Sequence, residues 1–316
     1  MMLEQPSATG LKSVDKPKSA GRKRRRRAFI NPVVGWTFLL PSIVLLAVFV
    51  FYPVLKTIYL SFFLTDFAGN PTVFVGLSNF TELFTSSDYL MSLVNTLIFV
   101  AGTVLATVVI SVLLALLANE KLKGVGFFRT VYASTMGISV SVASVFWMFL
   151  FNPSIGIMNR LLHVFGIPAI SWLTNPHWAL FSIALSTVWM NIGFSFLILL
   201  GGLQNISPSL YESVKINGVP YFKQLRKITL PLLSPTLFFV IVISIINAFQ
   251  TFGQVDMLTK GGPSNHTNLL VYSIYQDAFV NHQFGSASAE TVVLAVIIFV
   301  LTILQFKLGE KRVHYQ

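Results

Sequence analysis

The chain has 316 residues, of which 54% are apolar and 10% charged, with a net charge of +11 and a mean hydropathy of +0.73. A soluble domain carries about 25% charged residues, so this composition excludes an ordinary soluble or disordered protein and invites division into membrane spans of about 20 residues each. Cysteine is absent, which excludes a disulfide framework, a thiolate metal site and a cysteine nucleophile.

Residues 1–30 are polar and strongly basic, and read as a disordered tail ahead of a membrane domain covering 31–316. Arg26, Arg27 and Phe29 faintly resemble an export signal, but the apolar run behind them is too long for a signal core and five more runs follow. The six runs are Gly35 to Tyr59, Ser92 to Leu117, Phe127 to Phe151, Trp178 to Leu200, Pro231 to Thr251 and Ser286 to Phe306. At 1.5 Å rise per residue a helix of that length crosses the hydrocarbon layer, and none shows the period of two that a barrel strand requires. The expected fold class is an all-α membrane protein with six transmembrane helices.

Alternate connections then fall on opposite sides of the membrane. Nineteen of the 22 Lys and Arg and five of the 11 acids lie on the side of the termini, giving it +14 against −3 for the other side. The positive-inside rule makes both termini cytoplasmic. The partner of this basic surface is then anionic lipid, and nucleic acid is not expected. The three outer connections, Ser61 to Met91, Asn152 to His177 and Phe252 to Gly285, are long for helix links and suggest a docking surface. The second has an amphipathic middle from Ile157 to Phe165. Sequons at Asn79 and Asn265 read as chance occurrences of a short pattern.

The inner connection from 201 to 230 is the most patterned stretch. Ser207-Pro208 signals a helix start and Gly218 a stop, with a second helical piece from Pro220 to Thr229 leading into the fifth span. A helix, glycine turn and helix can serve as an elbow that positions two spans or as a docking element for a soluble partner. The stretch resembles the EAA motif of permease subunits of binding-protein-dependent ABC importers. Glu212, Gly218, Ile228, Leu230, Pro231 and Pro235 stand at the motif's spacings across 24 positions. Ser213 and Val214 replace its two alanines, Asn217 its acid, Val219 a further alanine and Leu225 its phenylalanine; an amide at 217 still accepts and donates hydrogen bonds. Pro41, Tyr52-Pro53, Gly76 to Phe80, Phe151-Asn152-Pro153, Gly261-Gly262-Pro263 and Tyr315-Gln316 are similar to the sugar-uptake branch of that family, which includes glycerol-3-phosphate and multiple-sugar permeases.

The resemblance implies a bacterial inner-membrane location and a second homologous permease subunit. It also implies two copies of a cytoplasmic ABC ATPase that carry ATP-Mg, and an external solute-binding protein. Glu212 to Gly218 would be the coupling helix. The sequence itself contains no G-x-x-x-x-G-K-[ST] loop, so no nucleotide cofactor is expected on this chain and no enzymatic activity of its own.

An ion-coupled secondary carrier is the rival reading. It would place a carboxylate or His inside the bilayer, whereas the six runs read as free of either, with acids in loops, tails or near span ends and the five His residues outside the hydrocarbon. The spans do hold neutral polar residues. Thr187, Asn191 and Ser195 share one face of span four, and Ser244, Asn247 and Thr251 one face of span five, with Gln250 beside them. Such stripes serve either helix packing or a sugar path, in which Trp147 or Trp189 would stack on a sugar ring. Apart from Arg129 at the inner end of the third run, Lys56 is the one cation within a span, which favours a neutral solute.

Overall fold

The computed structural model describes residues 32–120 and 123–309. The expected basic tail, residues 1–30, and the Tyr315-Gln316 ending lie outside the described residues. The chain divides into two compact units, Met1–Tyr52 and Pro53–Gln316. In the first, helix α1 (Pro32–Leu46) carries Pro41 in its interior and runs into a π turn at Ala47–Phe51. The π turn is closed by Tyr52 N–H donating to the Ala47 carbonyl, the i→i+5 bond of such a turn.

Helix α2 (Tyr52–Leu60) supplies the first residues of the second unit, and Trp36–Leu60 is long and apolar enough to count as a candidate span. An antiparallel hairpin follows, β1 (Phe63–Thr65) and β2 (Pro71–Phe74), paired Phe63 to Phe74 and Leu64 to Val73. Its turn is built by Asp66, whose Oδ1 accepts from the backbone N–H groups of Ala68 and Asn70 at 3.0 and 2.8 Å. The Asn70 side-chain amide donates to the same carboxyl, and this bond above all holds the Asp66 carboxyl below its ordinary range. Short helix α3 (Ser78–Thr85) closes the connection. Its Asn79 is buried and donates to the carbonyls of Ser61 and Phe63 at 2.8 and 3.1 Å. The amide of that sequon is therefore committed to holding the hairpin.

Helix α4 (Ser87–Asn119) is the second span, and α8 (Pro176–Gln204), α10 with α11 (Tyr221–Gln224 and Leu230–Phe249) and α14 (Phe284–Gly309) supply three more. Among the described residues α4 packs most extensively on α8, and α11 packs on both. The reason lies in α4 itself, where Ser92, Thr96, Thr103, Thr107, Ser111 and Ala115 recur every fourth or seventh residue and are all buried. Lipid offers no hydrophobic drive to helix association, so small side chains that admit close van der Waals contact decide which faces meet. The core beneath them combines Ala115, Phe196, Leu199, Leu203, Leu233 and Val240. At the end of α4 the Arg129 guanidinium donates twice to the Ala118 carbonyl, satisfying a helix-terminal acceptor.

The third apolar run does not make a straight span. Helices α5 (Val125–Ser134) and α6 (Val140–Leu150) are bent by 108° at a short break. The described residues therefore hold five helices long and apolar enough to cross a membrane, or six when this bent pair counts as one. The cause is local: Thr135–Gly137 tightens into a 3-10 turn, Ile138 is extended, and the Ser139 hydroxyl accepts from Val142 N–H to start a new helix. Gly193 of α8 faces this break, and a Cβ there would collide with the Thr135 hydroxyl and the Tyr132 carbonyl.

The two remaining long connections are ordered by buried polar side chains. In the connection to α8, Asn159 of α7 (Ile157–Val164) accepts from Ile170 N–H and Trp172 Nε1 at 3.1 and 2.8 Å and donates to the carbonyls of Pro153 and Ile170. After α11 come α12 (Gly253–Leu258), α13 (Leu270–Tyr275) and a π turn at Gln276–Val280. Here Thr267 pairs with Thr259 and donates to the Gly262 carbonyl, while Thr96 of α4 accepts from Leu270 N–H at 2.9 Å.

The sixth span carries the one correction to the charge reading. Glu290, six residues into α14, is 2% exposed. A carboxylate therefore does sit inside a span, close to its first turn.

Candidate functional site

The EAA-like segment stands out from the spans as an exposed, locally over-determined element. Helix α9 (Pro208–Ile216) starts with Pro208 in its first turn, where the missing N–H costs nothing. It ends in a complete Schellman motif. Gly218 N–H donates to the Lys215 carbonyl at 3.1 Å and Val219 N–H to the Val214 carbonyl at 3.3 Å. Gly218 takes φ +64° to allow this, a value that glycine reaches without Cβ strain. The Asn217 side chain donates to the Ser213 carbonyl at 2.8 Å, so the amide in the acid's position stitches the last turn of its own helix.

Glu212, Ser213, Asn217 and Gly218 are exposed, Val214 is half-buried, and Ile228, Leu230, Pro231 and Pro235 are half-buried along α10 to α11. Around the polar residues stand large apolar ones with nothing covering them, Ile216 at 86% and Phe222 at 72% exposed. Exposed apolar groups rimmed by charge mark a surface that binds another macromolecule. The segment is also rigidly mounted. Tyr211 packs against the Phe196–Leu233 cluster and its hydroxyl lies 3.4 Å from that of Thr229. The second helical piece expected at Pro220 to Thr229 is continuous with the fifth span through a π turn at Leu225–Thr229. Motion of α9 is thereby tied to the foot of α11.

The substrate-path residues divide by depth. Trp147 is 5% exposed and packs in a cluster with Phe99, Phe151 and Trp172, its ring centroid 5.1 Å from that of Phe151. Trp189 is half-buried, meets Trp147 edge-on at 5.9 Å and stacks on the exposed Phe146 at 6.0 Å. Thr187 is 1% exposed, and its hydroxyl and the Trp147 indole N–H have no hydrogen-bond partner. Asn191 donates to the Thr187 carbonyl at 2.9 Å. Asn247 and Gln250 are exposed near the end of α11. The structure thus brings Trp147 and Trp189 together, and Thr187 with Asn191. Sequence reasoning missed the packing stripe on α4 and the buried Glu290; the stripe was readable from its regular spacing.

A model of the family described as the inner membrane component of binding-protein-dependent transport systems matches residues 108–314, which include the whole EAA-like segment. The chain belongs to this family. It is a permease subunit of a binding-protein-dependent ABC importer and a multi-pass protein of the bacterial inner membrane. It is 37% identical to a permease protein of the sn-glycerol-3-phosphate transport system, UgpA, of Agrobacterium fabrum over 290 residues, covering 91% of this chain and 98% of the relative. The corresponding protein of Yersinia pestis is 34% identical over 294 residues, 92% and 99% of the two chains. Among solved structures, the permease resembles a chain of a bacterial ABC transporter involved in import of the acidic polysaccharide alginate, with a TM-score of 0.77 and 24% identity over 88% of this chain and 96% of that one. A second structure of the alginate transporter, in complex with a periplasmic protein bound to an alginate pentasaccharide, matches equally well at 23% identity over 88% and 94% of the two chains. At those identities the likeness concerns the fold.

Proposed function

We propose that this permease forms half of the translocation path for glycerol-3-phosphate or a carbohydrate, and that it is driven through α9 by a separate ATPase. The observation that carries the coupling role is the exposed α9, closed by Gly218 and mounted on α11, with Ile216 and Phe222 uncovered beside Glu212. In this reading both termini and α9 are cytoplasmic, as the distribution of Lys and Arg favours. A second homologous permease completes the path, and two copies of a cytoplasmic ABC ATPase hold ATP-Mg and seat the coupling helices. Closure of the ATPases draws those helices together, and the spans rock to open the path alternately to either side. The permease itself catalyses no reaction.

The relatives named for sn-glycerol-3-phosphate support a phosphorylated solute. Trp147, Thr187, Trp189, Asn191, Asn247 and Gln250 are the groups of this chain proposed to meet it. Hydroxyl and amide groups exchange hydrogen bonds with solute hydroxyls, and Trp189 offers a ring face for stacking. The test is uptake in proteoliposomes holding the assembled transporter and its binding protein, with sn-glycerol-3-phosphate and a neutral disaccharide compared. Glu212→Lys should abolish ATP-dependent uptake while the complex still assembles in the membrane. Full uptake by that variant would sink the coupling role, and uptake without ATP would favour a secondary carrier.

A further inference from the structure

Four of the six acids expected on the outer side, Glu82, Asp88, Asp277 and Glu290, line a single cavity of about 360 Å³. It lies where α3, the start of α4, the π turn at Gln276–Val280 and the first turns of α14 converge. No Lys, Arg or His among the described residues lines it. The acids are graded in depth: Glu82 and Asp88 are exposed, Asp277 is half-buried, and Glu290 is buried. Each is held by a neutral donor, Glu82 by Ser78 at 3.3 Å, Asp88 by Asn265 at 3.3 Å, Asp277 by Asn281 at 3.0 Å and Glu290 by Ser273 at 3.3 Å.

The second observation is at the floor. Glu290 Oε2 and the hydroxyl of Tyr89, a residue 3% exposed, are both buried with no hydrogen-bond partner, and both residues line the cavity. Buried acceptors without a donor are costly and rare. A free metal ion does not fit: no group of three or more acids or His among the described residues is close enough to hold one. The volume is roughly ten times the ~30 Å³ share of a water molecule, and its carboxyl groups run from an exposed mouth to a buried floor. That geometry matches a long basic side chain carrying several N–H donors at its tip.

We propose that this cavity receives an arginine or lysine side chain of the external solute-binding protein and anchors that protein on the permease. The inference rests on the orientation and importer role proposed above. Glu82 and Asp88 at the mouth steer the incoming cation, and Asp277, Glu290 and Tyr89 hold its tip away from water.

The test measures docking of the fluorescently labelled solute-binding protein to the complete transporter, permeases and ATPases together, in nanodiscs over a range of salt. Glu82→Gln with Asp88→Asn, both at exposed positions that folding tolerates, should slow association several-fold and flatten its dependence on salt. Asp277→Asn with Glu290→Gln should weaken docking at least tenfold, mainly through faster dissociation. Wild-type affinity and salt dependence in both variants would overturn the site while leaving the importer reading intact. Loss of the second permease from the complex in either variant would also overturn it, because the cavity would then be filled between subunits. A wild-type transporter that docks no binding protein would instead overturn the proposed function on which the site rests.

Discussion

Replacing Gly218 tests whether the shape of α9, and not merely its presence, transmits force. At φ +64° an L-residue meets its own following carbonyl, at a cost of about 1–2 kcal/mol. No atom lies within 4 Å of where a Cβ would stand, so the Cβ added by Gly218→Val meets no neighbour and the effect read is chiefly conformational. The alternative open to the variant is to release the Gly218 and Val219 bonds to Lys215 and Val214, together worth about 1–3 kcal/mol. The chain takes whichever is smaller, so the turn is destabilised by about 1–2 kcal/mol, a factor of about 5–30 in its population. Hydrogen exchange at the amides of 217–219 in the assembled transporter should quicken by that factor, and the ATP hydrolysed per solute imported should rise. Gly218→Asn, whose side chain tolerates the left-handed region, should lie between. Wild-type exchange in Gly218→Val would refute the reasoning, since the turn would then be held by its surroundings.

Two further substitutions probe the scaffold. Asn159→Ala removes an amide that makes four hydrogen bonds and leaves the buried Trp172 indole N–H unpaired; a loss of about 2–4 kcal/mol is expected, read as a lower melting temperature followed by tryptophan fluorescence. Thr96→Val is nearly isosteric but deletes the acceptor for Leu270 N–H, so about 1–3 kcal/mol of stability should go with it, and the Leu270 amide should exchange faster in deuterium while α9 is unaffected.

Much of this architecture is legible in residue order because its causes are local. An apolar run of span length, a proline in a first turn and a glycine at a helix end each act within a few residues, so the boundaries of α9 and the continuity of α10 into α11 follow from the sequence. The 108° bend between α5 and α6 does not follow from hydropathy, because averaging over a run counts apolar residues without recording direction. Its signal is the Gly137-Ile138-Ser139 tripeptide, a helix stop beside a helix start. Glu290 escaped for a related reason: one carboxylate barely moves the mean hydropathy of a 24-residue span. Of its neighbours, Ser273 stands 17 residues earlier on another helix and Tyr89 much earlier in the chain, and both are joined to it only by the fold. Buried polar anchors such as Asn79 and Asn159 are likewise hidden, since a sequence shows an amide without showing which carbonyls it will meet.

The link between α9 and the spans rests on Tyr211, and its two parts can be separated. Its ring packs against a core that includes Phe196 and Leu233, while its hydroxyl stands 3.4 Å from that of Thr229, long for an O–H···O bond whose usual length is about 2.7–2.8 Å. A bond so stretched contributes little, whereas deleting the ring removes packing worth about 3–5 kcal/mol where a large aromatic is well buried, and less for a half-buried one. Tyr211→Phe should therefore import solute at the wild-type ATP cost, and Tyr211→Ala should hydrolyse ATP with little import. The measurement is solute flux and phosphate release from the same proteoliposomes. If phenylalanine proves as damaging as alanine, the hydroxyl pair carries the coupling and the packing argument fails. If alanine couples normally, α9 moves α11 through the continuous backbone from Tyr221 onward, and the side chain is dispensable.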